Sequence, residues 1–568
     1  MKFTFKHPYS FAPNYTTAVA HFCMEYAIHQ PLKIYAGGLG FLAGSHVRSA
    51  FELKQNMVAV GILWKYGYYD QVRKTDQTMD VLFEEKVYGF LQKTNIKFTI
   101  SISGHEVWVT AFYLPPEVFR TVPLFLLSTD LPENDYLAKT ISHKLYDSNP
   151  ETKLAASILL GLGGAKLFEY LEWQPEIYHL NESHALPLAF YLYNKFKNKD
   201  EVRKRLVFTN HTPGEGGNPK TDVFLTEKMG FFCDVPTTEI RTITQTEGDL
   251  LDHTLAALRL AGIANGVSKD HLQTLHKMWD RYQDLCPLLS ITNAQNFSYW
   301  ANKPMYAALE EKNEERLRSI KLACKEQLFE IVADQNGEIL DKNALTIVFA
   351  KRFTGYKRAD LILRNMERFD RLVNNKNRPI QFIWAGKPFP MDYAAVGVFD
   401  KIVNVCKSYN NCSILVGYEL SLSRLLKQGA DIWLNVPRLT HEASGTSGIT
   451  AAMNGAINLG IPDGWFPEFA KDKVNSFVVP PANSNLPDHQ QDDEDANSLY
   501  DLLEKEVIPM YYDYPSSWLS IIKNSMQDIV PYFDSDRMAA EYYEKLYNKL
   551  QEEQIKKGSI IIDKAVLA

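Results

Sequence analysis

The sequence predicts an α/β protein with two doubly wound, Rossmann-like domains that face each other across a central cleft. From residue 151, short apolar segments alternate with helical periodicity, and a second series of this kind starts at Leu345 after a charged, helical connector at residues 300–340. Polar residues cluster where the apolar segments end, which is typical of an α/β ligand crevice. A length of 568 residues also exceeds what one hydrophobic core usually covers.

These observations divide the chain into three parts. Residues 1–295 are expected to form the first Rossmann-like domain, with a β-rich insertion at about 80–128 where polar and apolar residues alternate. Residues 296–500 are expected to form the second, and residues 501–568 to be helices that pack back on the core. Residues 480–497, rich in Pro, Asn, Asp and Gln, are predicted to be a solvated loop.

Composition excludes several classes of protein. Hydrophobic content of 45% fits a well-packed globular chain, and a net charge of -7 without a basic block argues against a nucleic-acid partner. The six cysteines form no CxxC pair, which favours a reducing compartment. Neither a signal-peptide apolar run nor a membrane-spanning stretch is present, so a cytoplasmic protein without a membrane partner is expected.

The N-terminal region contains a glycine-rich loop that opens a helix. An apolar segment at 17–24 is followed by Gly37, Gly38 and Gly40, after which apolar residues recur at helical spacing. Residues 38–43 satisfy the dinucleotide fingerprint GxGxxA, so a nicotinamide oxidoreductase is one alternative. However, no acidic residue ends a second strand about 20 residues on, as that fingerprint needs.

Histidine-containing polar segments follow two predicted strands of the first series. His184 follows the apolar segment at 177–180, and His211 follows the one at 206–209. A single histidine is most often a structural residue, but the position of His211 favours a sugar or phosphate contact. No metal is expected, because HExxH spacing and Cys/His clusters are absent from the sequence, and the lack of GxSxG disfavours a serine hydrolase.

Four cationic residues follow the strand predicted at Leu345–Ala350, namely Lys351, Arg352, Lys357 and Arg358. Arg352 and Lys357 could hold a phosphate dianion, since arginine offers a planar fork of donors and lysine a point charge. A solvated basic turn is the alternative. The preceding apolar strand favours the phosphate site.

A hydroxyl-rich loop precedes a short predicted helix in the segment from residue 441 to 455. Free N–H groups and the helix dipole at such a place attract an anion, and Glu442 could accept hydrogen bonds from a hydroxyl-rich ligand. A loop of this composition, taken alone, is more often a turn with hydroxyl caps. The strand predicted at 431–435 and the cationic cluster before it favour a ligand site.

Six motifs together resemble the α-glucan (glycogen/maltodextrin) phosphorylases. They lie at residues 34–44, 178–184, 209–213, 265–268, 351–358 and 442–448, in the family's order. Six motifs in register are specific, whereas any one alone is not. The chain resembles the short bacterial branch, without the long N-terminal regulatory extension of the animal enzymes.

The resemblance implies a GT-B glycosyltransferase fold and retaining, reversible transfer of a glucosyl unit from an α-1,4-glucan to inorganic phosphate, giving glucose 1-phosphate. By this resemblance Arg352 and Lys357 hold the substrate phosphate, and the carbonyl of His211 faces the developing oxocarbenium ion. The phosphate of pyridoxal phosphate is surrounded by Lys351, Thr446, Ser447 and the loop with Gly37 and Gly40. The substrate contacts are Glu442, Ser444, Gly445, Asn293, His211, His184 and Gly38. Family members are usually dimers, so a homodimer is implied, although the sequence identifies no interface.

The sequence departs from the family at one position. The family's motif is followed by the lysine that forms a Schiff base with pyridoxal phosphate, and here that position is Thr450, whose hydroxyl cannot form an imine. One hypothesis is non-covalent pyridoxal phosphate with surviving phosphorolysis. The others are a nucleotide-sugar-dependent glucosyltransferase and a non-catalytic glucan-binding protein.

Overall fold

The computed structural model describes residues 3–214 and 217–552. Within these ranges the strands are β1 Val19–Phe22, β2 Met57–Ile62, β3 Asp70–Arg73, β4 Met79–Leu82, β5 Gln92–Ile102, β6 His105–Leu114, β7 Leu124–Ser128, β8 Ile177–Asn181, β9 Leu206–Thr209, β10 Lys220–Asp222, β11 Leu250–Asp252, β12 Ile263–Gly266, β13 Leu288–Ser290, β14 Leu345–Ala350, β15 Ile380–Ala385, β16 Cys412–Leu415, β17 Ile432–Asn435, β18 Ile457–Gly460 and β19 Ser476–Val478.

The α-helices of the same ranges are α1 Gly38–Glu52, α2 Pro116–Phe119, α3 Tyr136–Thr140, α4 Pro150–Ile158, α5 Gly164–Tyr170, α6 Pro187–Phe196, α7 Lys199–Arg203, α8 Val223–Lys228, α9 Thr237–Thr244, α10 His253–Leu260, α11 Lys269–Trp279, α12 Phe297–Trp300, α13 Lys303–Glu310, α14 Glu314–Asn336, α15 Met366–Val373, α16 Tyr393–Cys406, α17 Leu420–Gly429, α18 Ser447–Ala452, α19 Asp488–Leu502, α20 Ile508–Asp513, α21 Pro515–Phe533 and α22 Ser535–Tyr542. None of the helices in these ranges combines the length and apolarity needed to cross a membrane.

The chain forms two compact units. Unit 1 contains the described residues up to Tyr68, those of Glu84–Thr292 and those from Ser535 onward, and unit 2 contains Tyr69–Phe83 and Asn293–Asp534. The chain changes unit at 292/293, where the sequence-based division put 295/296. The helices predicted from residue 501 are shared, since they belong to unit 2 up to Asp534 and to unit 1 beyond it. Residues 553–568 of that predicted part lie outside the described residues.

Unit 1 is built on a nine-stranded sheet in the order β13-β12-β9-β8-β1-β2-β7-β6-β5. The first seven strands are parallel, and β1, β2, β7 and β9 are buried along their whole length, as expected for a sheet covered on both faces. The alternating segment at 80–128 does form antiparallel strands, and β5 and β6 extend the main sheet at the edge beside β7. Strand order reverses between β1 and β8, which makes their carboxyl ends a topological switch point.

Unit 2 is built on a parallel six-stranded sheet in the order β16-β15-β14-β17-β18-β19. Its central strands are short apolar segments buried at every position, and the hairpin of β3 and β4 also belongs to this unit. The order reverses between β14 and β17, which pair in parallel at Ile347 and Ile432. The predicted α/β class is therefore confirmed in both units.

Two segments of unit 2 differ from their predicted structure. The helix α14 is part of the unit, because Leu328 and Val332 pack into its core, and it is therefore more than a connector. The solvated loop predicted at 480–497 is wrong from residue 488, where α19 begins. Its acidic residues face a buried arginine, with Arg358 2.7 Å from Asp495. Composition alone cannot reveal such a distant partner.

Candidate functional site

The predicted site residues are divided between the two units. Unit 2 contains Asn293, Lys351, Arg352, Lys357, Glu442, Ser444, Gly445, Thr446, Ser447 and Thr450, and unit 1 contains Gly37, Gly38, Gly40, His184 and His211.

Lys351 lies at the topological switch point of unit 2. It follows β14 directly, and its ammonium contacts Oδ1 of Asn435, the last residue of β17. The Lys351 side chain is buried, and burial together with the nearby charge of Lys357 lowers its pKa well below the ordinary lysine value. A bound anion would favour the charged form of Lys351, because it would add a counter-charge close to this group.

Lys357 and Glu442 form a buried ion pair beside Lys351. Nζ of Lys357 lies 2.5 Å from Oε2 of Glu442, and the two side chains are 12% and 8% exposed. Burial by itself would lower the pKa of Lys357, but the Glu442 carboxylate outweighs it and raises that pKa. Lys357 therefore stays cationic. Glu442 occupies the position where a phosphate would bind Lys357, and Lys357 occupies the position where a sugar hydroxyl would bind Glu442.

Arg352 extends the positive charge of this cluster to the surface. Its side chain is exposed, and its charge opposes protonation of Lys357, so the two cations are within electrostatic reach. The structure therefore brings together Lys351, Arg352 and Lys357, three of the four cations that the sequence grouped after β14. It adds Glu442 from a loop, 85 residues after Lys357 in the chain.

The loop that carries Glu442 is tightly folded. Gly445 has φ +79, and a Cβ there would lie 3.1 Å from Cγ of Glu442, so this position requires glycine. The following helix, α18, is short, as predicted, with six residues, so its dipole contributes little. Ser447 Oγ accepts a hydrogen bond from the indole of Trp433 at 3.3 Å, and Thr446 is half-buried.

Thr450 lacks the amine that a covalent bond to pyridoxal phosphate requires. It is 1% exposed, and its hydroxyl donates to the carbonyl of Ser447 at 3.0 Å within α18. The donor set around Lys351 and Lys357 fits the phosphate group of this cofactor, whereas the buried hydroxyl at position 450 offers no amine to its aldehyde.

Asp463, in the segment after β18, was not singled out from the sequence, although it binds the backbone of this loop. It is 4% exposed and accepts hydrogen bonds from the backbone N–H groups of His441 at 3.1 Å and Glu442 at 2.9 Å. Burial, with the adjacent Glu442 charge, raises its pKa to about 7. The available signal was its place in a Pro-Asp-Gly turn after β18, a position where turns often use aspartate to bind backbone N–H groups.

In unit 1 the glycine-rich loop is bound by a carboxylate. Oε2 of Glu25 accepts the N–H groups of Ala36 at 2.7 Å and Gly37 at 3.0 Å, which leaves the N–H groups from Gly38 onward for a ligand. Residues 23–37 separate β1 from α1, so the GxGxxA segment does not follow a strand directly. The nicotinamide alternative therefore lacks the strand–turn–helix that the fingerprint requires.

His211 is held at the switch point of unit 1 by the two residues where β8 ends. Its Nε2 lies 2.6 Å from Oδ1 of Asn181, and its backbone N–H donates to Oε1 of Glu182 at 2.6 Å. Glu182 is buried with φ +74, a strained conformation for this residue type, and its pKa is raised by burial. Burial lowers the pKa of His211 to about 3, so its ring is neutral at pH 7.

Three predicted substrate contacts have a buried polar atom without a hydrogen-bond partner in the described part of the chain. They are Nδ1 of His184, Oδ1 of Asn293 and Oγ of Ser444. Most buried polar atoms are satisfied, so each of these three atoms could form a hydrogen bond with a ligand. One of these residues, His184, lies in unit 1, and the other two lie in unit 2.

Known proteins resemble this chain over nearly its whole length. The sequence profile of the carbohydrate phosphorylases matches residues 302–479. A maltodextrin phosphorylase of Thermococcus litoralis is 33% identical, over 94% of this chain and 71% of the relative. The chain belongs to the carbohydrate phosphorylase family. A glycogen phosphorylase of Aquifex aeolicus is 30% identical over 95% of this chain and 87% of the relative, and an uncharacterised protein of Methanocaldococcus jannaschii is 45% identical over 93% and 99%.

Membership of the carbohydrate phosphorylase family confirms the resemblance drawn from the six motifs. It also confirms the predicted type of enzyme, a phosphorylase-like glycosyltransferase. None of the three alternatives is favoured by these relatives. In the described ranges, no group of three or more His, Cys, Asp or Glu residues is arranged to hold a metal ion.

Proposed function

We propose that this phosphorylase transfers a glucosyl unit between the non-reducing end of an α-1,4-glucan and inorganic phosphate, with glucose 1-phosphate as the sugar phosphate. The names of the glycogen and maltodextrin phosphorylases among its relatives support this substrate class. The observation that carries the proposal is the buried Lys357–Glu442 pair beside Lys351. It combines a cation suited to phosphate with a carboxylate suited to sugar hydroxyls.

In unit 2 the chemistry is electrostatic. A phosphate dianion would replace Glu442 as the partner of Lys357, and Arg352 would supply a planar fork of donors from the exposed side. The freed Glu442 carboxylate could then accept hydrogen bonds from glucosyl hydroxyls. Fixed cations in a water-poor site stabilise a departing or attacking phosphate strongly, because little solvent reorganisation is needed.

In unit 1 we assign glucan contacts to His211 and His184. Both rings are neutral at pH 7, since burial lowers the pKa of His184 to about 4. A neutral imidazole can both donate and accept a hydrogen bond, which suits a sugar hydroxyl better than an anion. Glu182 fixes the backbone of His211, so the direction of its carbonyl is fixed as well.

The proposal is tested by substituting Arg352 with alanine. Maltoheptaose and inorganic phosphate should yield glucose 1-phosphate with the wild-type chain, and Arg352→Ala should lower that rate by about 10²–10³-fold. Arg371→Ala is the matched control, because Arg371 is 62% exposed and its ion-pair partner among the described residues is Glu367, one turn earlier in α15. Unchanged activity of Arg352→Ala would remove the phosphate assignment. If the wild type transfers glucose neither from glucose 1-phosphate nor from a nucleotide sugar, glucan binding is left as the function.

We further propose that pyridoxal phosphate binds without a covalent bond, with its phosphate near Lys351, Thr446 and Ser447. When bound, this cofactor would supply a phosphate group for proton transfer to the substrate phosphate. Thr450→Lys should give an adduct that survives borohydride reduction and maps to residue 450 by mass spectrometry, whereas the wild type should give none there. Absence of an adduct in a folded Thr450→Lys variant would count against this placement.

A cytoplasmic location and a homodimer complete the proposal. The six cysteines all lie in the described part of the chain and are free, buried thiols, which supports a reducing compartment. The dimer is supported by the family resemblance alone, and sedimentation at micromolar concentration tests it.

A further inference from the structure

The segment that follows β18 folds against the backbone of the loop that carries Glu442. Asp463 Oδ2 accepts the N–H groups of His441 and Glu442, its Oδ1 accepts that of Gly464 at 3.0 Å, and Trp465 donates its N–H to the carbonyl of Ser444 at 3.0 Å. One buried carboxylate thus satisfies three backbone donors, two of which directly precede the Cα of the proposed sugar-binding residue, Glu442.

The position directly after Asp463, residue 464, accommodates only glycine. Gly464 has φ +64, and a Cβ there would lie 2.5 Å from the carbonyl oxygen of Ser444. The segment therefore approaches the loop as closely as backbone allows, and the position of Asp463 is fixed by packing as well as by hydrogen bonds.

We propose that Asp463 is a positioning residue that fixes the backbone of His441 and Glu442, and thereby holds the Glu442 carboxylate where it meets both Lys357 and a glucosyl hydroxyl. This inference rests on the proposed function for the role of Glu442. Asp463 itself touches no reacting atom in this scheme.

Protonation should weaken this arrangement. The carboxylate uses both oxygens as acceptors, so a proton on either one would face an N–H donor. Glu442 is the charged group that faces Asp463 most directly, with Lys357 and Lys351 beyond it, and burial with the Glu442 charge raises the pKa of Asp463 to about 7. Glucan affinity should therefore fall as the pH drops through 7.

The test uses the full chain and maltoheptaose, a neutral ligand whose charge does not change with pH. Asp463→Asn should weaken maltoheptaose binding at pH 8 by about tenfold, because its amide N–H₂ must face a backbone donor. It should also abolish the pH dependence seen in the wild type. Peptide-level hydrogen exchange should rise at residues 439–446.

Asp431→Asn is the control for a structural effect. Asp431 is 3% exposed and accepts the N–H of Thr346 at 2.9 Å, but it lies at the opposite end of β17 from Asn435. This variant should lose stability and keep the wild-type affinity and pH profile.

Each outcome decides the inference. Unchanged exchange at 439–446, or raised exchange with wild-type affinity, would overturn it. If Asp463→Asn does not fold, a wild-type affinity that is flat between pH 6 and pH 8 would overturn it instead. If the wild type binds no maltoheptaose, the proposed function is wrong, and the exchange data alone decide whether Asp463 holds the loop.

Discussion

Among the described residues, both units bury arginines, Arg48 and Arg259 in unit 1 and Arg358 in unit 2, but the units differ in their other buried basic residues. In the described residues, the buried histidines are His21, His46, His179, His253 and His271, all in unit 1. The buried lysines are Lys321, Lys325, Lys351, Lys387 and Lys427, all in unit 2. Both units thus place basic side chains away from water, but they do so with different chemistry.

The two units compensate in different ways for the free-energy cost of burying a basic side chain. A histidine can lose its proton at little cost near pH 7, and burial lowers the pKa of His46, His253 and His271 to about 4. Some lysines of unit 2 lie beside a carboxylate, as Lys357 does beside Glu442 and Lys325 beside Asp431. Burial lowers the pKa of others, among them Lys321 and Lys427. This difference supports the proposed assignment of glucan hydroxyls to the histidines of unit 1 and of the phosphate to the lysines of unit 2.

Acidification is expected to separate the two units most strongly. Histidines whose folded pKa lies below the ordinary value of 6.5 contribute stability that is present above pH 6.5 and lost as the pH falls toward 4. Each histidine with a folded pKa of about 4 should cost about 2 kcal/mol between pH 7.5 and pH 5. Urea unfolding at both pH values, followed by deuterium pulse labelling and peptide mass spectrometry, should show a larger loss in unit 1.

A single substitution checks the cause. His253 is 6% exposed, has no partner for Nε2 in the described ranges and packs against Phe231. His253→Phe should recover part of the acid-induced loss, whereas His276→Gln, at an exposed residue, should not. Equal acid sensitivity of both units would contradict the comparison.

Breaking the charge pair of unit 2 is expected to have the next largest effect. Lys357→Met leaves the Glu442 carboxylate buried and unpaired, which should cost about 3–5 kcal/mol of stability and lower phosphorolysis by about 10²–10³-fold. Urea unfolding and the glucose 1-phosphate assay measure the two effects.

A double variant distinguishes the pair from either residue alone. Lys357→Met with Glu442→Gln should regain most of the stability but none of the activity. Lys342→Met is the control, because Lys342 and its partner Glu326 are 45% and 51% exposed. A double variant no more stable than Lys357→Met would refute the idea of an unpaired buried charge.

The smallest expected effect concerns the carboxylate that holds His211 in unit 1. Glu182→Gln replaces one acceptor oxygen by a donor group, which should lower phosphorolysis by about tenfold and stability by about 1–3 kcal/mol. Glu176→Gln is the matched control, because the Glu176 carboxylate also accepts a backbone N–H, that of Ala18 at 2.8 Å, just before β1. If both variants lose equal activity, Glu182 has no special role at the site.

Local sequence was sufficient for much of the fold. The strands β9 and β14 begin and end where their apolar segments predicted, because a strand buried on both faces needs apolar residues throughout. Polar residues after these strands also located His211 and Lys351. The helix α19 escaped prediction, because its acidic residues are stabilised by Arg358, more than a hundred residues away in the chain.

The sequence by itself determined the family, the two α/β series and the residue types suited to phosphate and sugar, because these follow from local periodicity and from motifs in order. Only the tertiary structure decided that Lys357 meets Glu442, that Asp463 and Glu182 hold the backbone beneath Glu442 and His211, and that Lys351 lies at a reversal of strand order. These contacts join residues distant in sequence, so their burial and charge are set by chain topology rather than by any local pattern.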